Sequence, residues 1–385
     1  MKYDFDEVVE RRGTNSYKWN VAENELPMWV ADMDFKTAPE IRAALQKRLD
    51  HGIFGYEDIP DEWYEAYQKW WERRHSLKIE KEWLIFCTGV IPAISTMVRK
   101  LSTPAEKIVI QTPVYNIFFN SILNNGRVPY ENRLVYDETT GKYSIDWEDL
   151  EEKLADPQTS LFILCNPHNP SGEIWTKDVL VRIGELCKKY AVTVISDEIH
   201  CDITDPGKEY VPFAAASDIC RDISVSCIAP TKCFNIAGTH TAAVFAANPV
   251  LRHKVWRGLN TDEVAEPNSF AMTAAIAAFN EGEPWLEELR VYLAENKKMI
   301  RDFIEKNLPK VKVMPSDATY LLWLNVSKYG KTSEKLAEEI REKTGLYLSA
   351  GNIFGGDGEN FLRMNAACPR SLLNDGLERL KRALS

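Results

Sequence analysis

Residues 160–202 read SLFILCNPHNPSGEIWTKDVLVRIGELCKKYAVTVISDEIHCD. The stretch opens on one short apolar run, SLFILC, and closes on another, VTVISD. Runs of this length, bounded by turn residues, read as buried strands. Between them KDVLVRIGELCKKY carries apolar residues at helical spacing. NPHNPSG, made of asparagine, proline and glycine, is a turn. Strand, turn, helix and strand in this order form one unit of an α/β domain with a mostly parallel sheet. In such sheets the ligand site lies beyond the carboxyl ends of the strands. Asn169 and Asp197 stand there.

The same alternation extends outward. WLIFC, KIVIQT, ISVSCI and AAVFAA are further short apolar runs. PAISTMVRKL reads as a helix with proline near its start. Upstream, Thr37 before Ala38-Pro39 marks the start of a helix that Gly52 stops. FGYEDIPDEW is turn-rich and precedes the helical EAYQKWWERRH. From about Glu283 the pattern changes to a long helix, WLEELRVYLAENKKMIRDFIEKNL. YLLWLNV, a helix through SEKLAEEIREKTG, the runs LYLSAG and NFLRMNAA, and a last helix follow it. The first forty residues lack clear periodicity. GNIFGGDGEN lacks the ending of a nucleotide-binding loop and reads as a mobile loop on the substrate side. The expected layout is a large domain over 46–282 and a smaller α+β domain over 283–385, which segment 1–45 joins.

A chain of 385 residues, 45% hydrophobic, has room for two domains and a sizeable core. Its net charge of −10 argues against general nucleic-acid binding and suits a small charged substrate. No stretch is apolar and long enough to span a bilayer, and the start, MKYDFDEVVERRGTNSYKWN, has no signal-peptide core. A cytoplasmic protein without a membrane partner is expected. None of the eight cysteines is paired at the spacing of zinc or redox motifs, so reduced core thiols and no metal are expected.

Four residue types stand in one order: Asn169 in NPHNPSG, Asp197 in ISDEIHCD, Lys232 in IAPTKCFNIAG and Arg363 in FLRMNAACPR. Pyridoxal 5'-phosphate (PLP) chemistry needs such a set. A lysine amine forms the Schiff base, and a carboxylate keeps the ring nitrogen protonated. A donor sits near the phenolic oxygen, and a cation holds the substrate carboxylate. At these contexts the sequence resembles the class I/II aminotransferase superfamily, fold type I, over nearly its whole length. PMWVADMDF and the variant DEIH resemble the C–S β-lyases of that group, cystathionine β-lyases among them. The resemblance implies an α/β fold with a seven-stranded, mostly parallel sheet in the large domain.

It also implies roles. Lys232, with apolar flanks, is the Schiff-base lysine; elsewhere in the chain the ordinary reading of a lysine is a surface one. Asp197 pairs with the ring nitrogen; taken alone it would read as a helix cap or structural ion pair. Asn169 donates to the phenolic oxygen while also belonging to its turn. Gly89, Val90 and Ile91 open a helix whose amides hold phosphate, with Thr231 beside them. Tyr115 stacks on the ring, or is an ordinary strand-end aromatic. His200, where aminotransferases usually have tyrosine, sits near the cofactor or is a satisfied core residue. Tyr56 reaches the phosphate of a neighbouring subunit in a homodimer with shared sites, or packs on its own subunit. Arg363 holds the substrate α-carboxylate by two parallel N–H groups, and Arg370 is structural. His240 stands where many aminotransferases have a phosphate-binding arginine.

The implied activity is α,β-elimination on L-cystathionine or S-substituted cysteines, giving thiol, pyruvate and ammonia. An aminotransferase acting with a 2-oxo acid would use the same residues. A regulatory protein that binds a transcription factor is the alternative of another class, and no DNA-binding extension is read before the cofactor domain.

Overall fold

The computed structural model describes residues 2–385. Its centre is a seven-stranded sheet in the order Leu84–Cys87, Ala242–Phe245, Ser224–Ile228, Thr193–Asp197, Thr159–Cys165, Lys107–Thr112 and Val128–Arg133. Ala242–Phe245 runs antiparallel to both neighbours, and every other pairing is parallel.

The apolar runs become central strands because both faces are covered. Alternate residues supply the two faces. Ile108, Ile110, Leu161, Ile163 and Ile195 pack on one side with Ala93, Ile94, Met97 and Val98 of the helix Val90–Leu101. Val109, Phe162, Leu164 and Val194 pack on the other with Leu180, Ile183 and Cys187 of the helix Lys177–Lys189. Thr176 caps that second helix by accepting from the Val179 N–H.

Register then decides where the chemistry goes. Cys165 lies opposite Asp197, and Asp197 opposite Cys227, so three strands end in one row. Asp197 stands in that row, and Asn169 and Lys232 follow from it.

A second, antiparallel sheet contains Lys312–Val313, Leu321–Asn325, Phe361–Asn365 and Ser349–Ala350, in that order. Leu322, Leu324, Leu362 and Met364 pack against the helices Glu283–Asn307, Ser333–Thr344 and Arg370–Leu384. Leu26–Pro27 pairs in parallel with Leu346–Tyr347, which ties the N-terminal stretch to these elements. The helix Pro39–His51 ends at Gly52, in the left-handed region, as its sequence predicts.

Two features differ from the sequence reading. GNIFGGDGEN is not a simple loop: it forms two 3-10 turns, Gly351–Phe354 and Gly358–Asn360, pressed against each other. A Cβ at Gly351 would sit 2.2 Å from the Gly358 carbonyl, so only glycine permits the approach. Val128–Arg133 is an edge strand whose VPYENR sequence, with proline and charge, hides its strand character. All eight cysteines are buried and free, as expected of core thiols.

Candidate active site

At the carboxyl end of the parallel strands lies a cavity of about 260 Å³. Its walls include Gly89, Val90, Ile91, Tyr115, Asn169, Asp197, His200, Thr231 and Lys232. Every residue expected around the cofactor is therefore there except Tyr56, which is fully exposed and away from it. His240 lines the same cavity, with its backbone in the left-handed region.

The floor is set by the strand ends. Asp197 is the last residue of its strand, buried, and accepts the Ile199 N–H at 3.1 Å. Burial pushes its carboxyl up to about 7 against that hydrogen bond. No cation lies within ion-pairing distance among the described residues, so the site invites one. Lys232 follows the strand Ser224–Ile228, and its Nζ donates to the Ala31 carbonyl at 2.7 Å. Burial lowers its pKa; Arg363 lowers it further, while Asp32 and Asp197 raise it. A neutral amine is what a nucleophilic lysine needs.

His200 is buried, and its Nδ1 has no partner. Burial first, then Lys232 and Arg363, push its pKa down to about 3, so the ring is neutral. The helix Val90–Leu101 begins at the cavity, and its first-turn amides have no partners within the helix. Gly89 has extended backbone (φ 176°), so glycine is not a conformational need there, and a Cβ would press on the Pro92 ring at 3.2 Å.

Arg363, on the strand Phe361–Asn365, is buried and forms no salt bridge among the described residues. Its Nη1 donates to Asn169 Oδ1 at 3.1 Å and its Nη2 to the Trp29 carbonyl at 2.9 Å, while Nε has no partner. Its guanidinium lies 4.9 Å from the Phe354 ring centre. Burial pushes its pKa down to about 10, so it remains a cation at neutral pH. A buried cation without a counter-ion is a receptor for an anion. Because Arg363 occupies Asn169 Oδ1, the Nδ2 donor of that amide is left for a ligand.

Sequence reasoning missed one wall, the stretch 29–35 inside PMWVADMDF, of which Ala31 lines the cavity. It is held by its backbone carbonyls and by two carboxylates, Asp34 pairing with Arg11 and Lys18 at 2.6 and 2.7 Å and Asp32 with Arg11 at 2.8 Å. Ser349 Oγ donates to the Trp29 carbonyl at 3.0 Å. Asn365 Nδ2 reaches the carbonyls of Val30 and Asp32 at 2.6 and 2.7 Å. Asn235 Nδ2 reaches those of Met33 and Phe35 at 3.0 and 2.8 Å. Tyr320, whose Oη donates to the Ala31 carbonyl at 2.9 Å, was missed because YLLWLNV reads as core. Cys233, beside Lys232, is buried with its thiol pushed far up by burial, which leaves it unreactive.

The donor set suits PLP: an amine, a buried carboxylate without a cation, an orphaned imidazole nitrogen and a helix N-terminus share one cavity. Comparison with known proteins agrees. The chain is 44% identical to cystathionine beta-lyase PatB of Bacillus subtilis (strain 168), over 99% of this chain and 100% of that one. It is 33% identical to protein MalY of Escherichia coli (strain K12), over 99% of each. Among solved structures, cystalysin from Treponema denticola, which contains PLP, superposes with a TM-score of 0.96 at 32% identity, covering 100% of this chain and 99% of that one. The profile of the family described as aminotransferase class I and II matches residues 22–380. The chain belongs to that PLP-dependent family.

Proposed function

We propose that this protein is a PLP-dependent C–S β-lyase that acts on L-cystathionine or S-substituted cysteines. The observation that carries the reading is a buried Lys232 amine at the cavity together with a buried Arg363, without a carboxylate partner, that is bonded to the cavity residue Asn169. Similarity to a cystathionine beta-lyase along the full chain selects elimination over transamination.

When bound, PLP supplies an aldehyde for the amine and a ring that takes up electrons from the substrate α-carbon. Lys232 would hold the cofactor and, as a neutral base, would take the substrate α-proton. The same Nζ then gives a proton to the departing sulfur. Asp197 would serve the ring nitrogen as its anion, and Tyr115 would pack on the ring. Asn169 Nδ2 and the neutral His200 serve the phenolic oxygen. Thr231 and the amides of Gly89, Val90 and Ile91 serve the phosphate. Arg363 takes the substrate carboxylate in place of its present acceptors. Cystathionine and water thus give homocysteine, pyruvate and ammonia.

The active unit is a homodimer in this proposal, with Tyr56 completing the partner's phosphate site. The exposed Ile53, Phe54 and Tyr56 form the apolar surface for it. Segments 1–45 and 283–385 form the smaller unit and 46–282 the larger. No described helix is long and apolar enough to cross a membrane, and we place the enzyme in the cytoplasm.

The test is turnover with cystathionine and no keto acid. A lyase releases pyruvate over many cycles. Product that stalls at one equivalent per site, and resumes only when a keto acid is added, means an aminotransferase.

A further inference from the structure

The Ala31 carbonyl accepts two hydrogen bonds, from Lys232 Nζ at 2.7 Å and from Tyr320 Oη at 2.9 Å. The second donor is in a built position. Tyr320 is fully buried, and its ring lies edge-on to His200 with centres 6.3 Å apart. Thr319 before it has φ 66°, a left-handed backbone that a β-branched residue seldom adopts. That turn is fastened by the Thr319 N–H to the Ile203 carbonyl at 2.7 Å, and by the Ala366 N–H to the Tyr320 carbonyl at 2.8 Å. The chain accepts backbone strain to bring this hydroxyl to the carbonyl that the lysine uses.

We propose that Tyr320 is a positioning residue for Lys232: by sharing the Ala31 carbonyl, its hydroxyl weakens the lysine's hold on that acceptor and frees the amine to act as a base. The inference rests on Lys232 being the cofactor-linked amine. Two donors on one carbonyl compete, because each draws on the same oxygen. An ammonium donates more strongly than a neutral amine, so a carbonyl left to Lys232 alone favours the charged form. The other groups acting on the Lys232 charge are Asp32 on the wall, Asp197 at the floor and Arg363 on the second sheet. All three remain in place when the tyrosine hydroxyl is removed, and of them Asp32 and Arg363 also feel that hydroxyl directly. While Lys232 is engaged with the cofactor, Tyr320 also remains as a donor to Ala31, which keeps the acceptor in place for the amine's return. Burial keeps the phenol protonated throughout.

The test is Tyr320→Phe, which keeps the ring. In the full-length, cofactor-free protein, acetylation of Lys232 by acetic anhydride is followed against pH by peptide mass spectrometry. The midpoint should rise by about half to one pH unit, the size of one exchanged hydrogen bond. In the holoenzyme the acid limb of the kcat profile should rise by a similar amount. At pH values below that limb kcat should fall about three- to tenfold, with KM changed less than about twofold. Replacing Tyr320 by 3,5-difluorotyrosine, a stronger donor of nearly the same shape, should move both midpoints down and gives a result even if Tyr320→Phe folds poorly. Midpoints that stay fixed in these variants, with or without a lower melting temperature, would make Tyr320 a packing residue and overturn the proposal. Borohydride reduction of the unaltered holoenzyme separates the two failures: a label absent from Lys232 defeats the cofactor assignment, and a label present with fixed midpoints defeats only this one.

Discussion

Asp197 is a buried group that, once ionised, works against the fold. Its folded pKa, about 7, lies above the ordinary value of 3.8, with burial as the leading cause. The folded chain therefore holds this proton more tightly than the unfolded chain does. Between pH 4 and 7 the unfolded state releases it first, so the contribution of Asp197 to stability falls as pH rises through that window and stays low above it. Asp197→Asn removes the titration. The cofactor-free variant should be more stable than its parent at pH 8 and should lose that advantage near pH 4. Urea denaturation at the two pH values reads the difference, and an advantage equal at both would show that Asp197 is not the titrating group. The holoenzyme should respond in the opposite sense. Without the anion the ring nitrogen loses its counter-charge, and turnover should fall by about two orders of magnitude or more.

At the scale of elements, the turn after the strand Thr159–Cys165 joins the two sheets. Gly172 lies at φ +73°, and a Cβ there would come 2.1 Å from Ser316 Oγ and 2.7 Å from the Ala318 carbonyl. The Gly172 carbonyl also accepts the Asp317 and Ala318 N–H groups at 3.0 Å. NPHNPSG thus fixes Asn169 and also anchors the segment that leads to Tyr320. Gly172→Ala should cost about 2–4 kcal/mol, from the left-handed backbone and the clash together. It should also weaken cofactor binding as Asn169 moves. Thermal unfolding and cofactor titration measure the two effects, and an unchanged melting temperature would sink the argument. This element also marks how far the sequence can be read. NPHNPSG, VTVISD and IAPTKCFNIAG announce themselves because strand ends and turns demand particular residues. The wall at 29–35 does not, since Ala31 meets Lys232 and Tyr320 through its carbonyl, which any residue could supply, and the ion pairs of Asp32 and Asp34 with Arg11 and Lys18 follow no local spacing. Tyr320 is hidden for another reason: an aromatic beside an apolar run reads as core, and only the tertiary fold shows its hydroxyl turned toward Ala31. Val128–Arg133 is hidden because an edge strand needs no apolar alternation.

At the scale of the whole molecule the question is whether one chain makes a complete site. Tyr56 is fully exposed, next to the exposed Ile53 and Phe54, in a stretch before the helix Asp61–His75. A tyrosine left in water beside apolar neighbours gains little by itself. Against a two-fold-related copy it would be covered, and each copy would give its tyrosine to the other's cavity. The arrangement can be tested by complementation. Lys232→Ala should be inactive. Tyr56→Ala should bind PLP about tenfold more weakly, for one lost phosphate contact, and be nearly inactive at limiting cofactor. In a mixed dimer of the two variants, one cavity combines the intact lysine of one chain with the intact tyrosine of the other. After random exchange of subunits roughly half the dimers are mixed, so about one quarter of the cavities should be intact and that share of activity should return at limiting PLP. If Tyr56 instead serves its own chain, every cavity lacks one of the two residues and mixing restores nothing. Sedimentation of the unaltered protein gives the independent measure: a chain that stays monomeric at working concentration leaves Tyr56 without a cavity to complete, and the phosphate would rest on Thr231 and the helix amides alone.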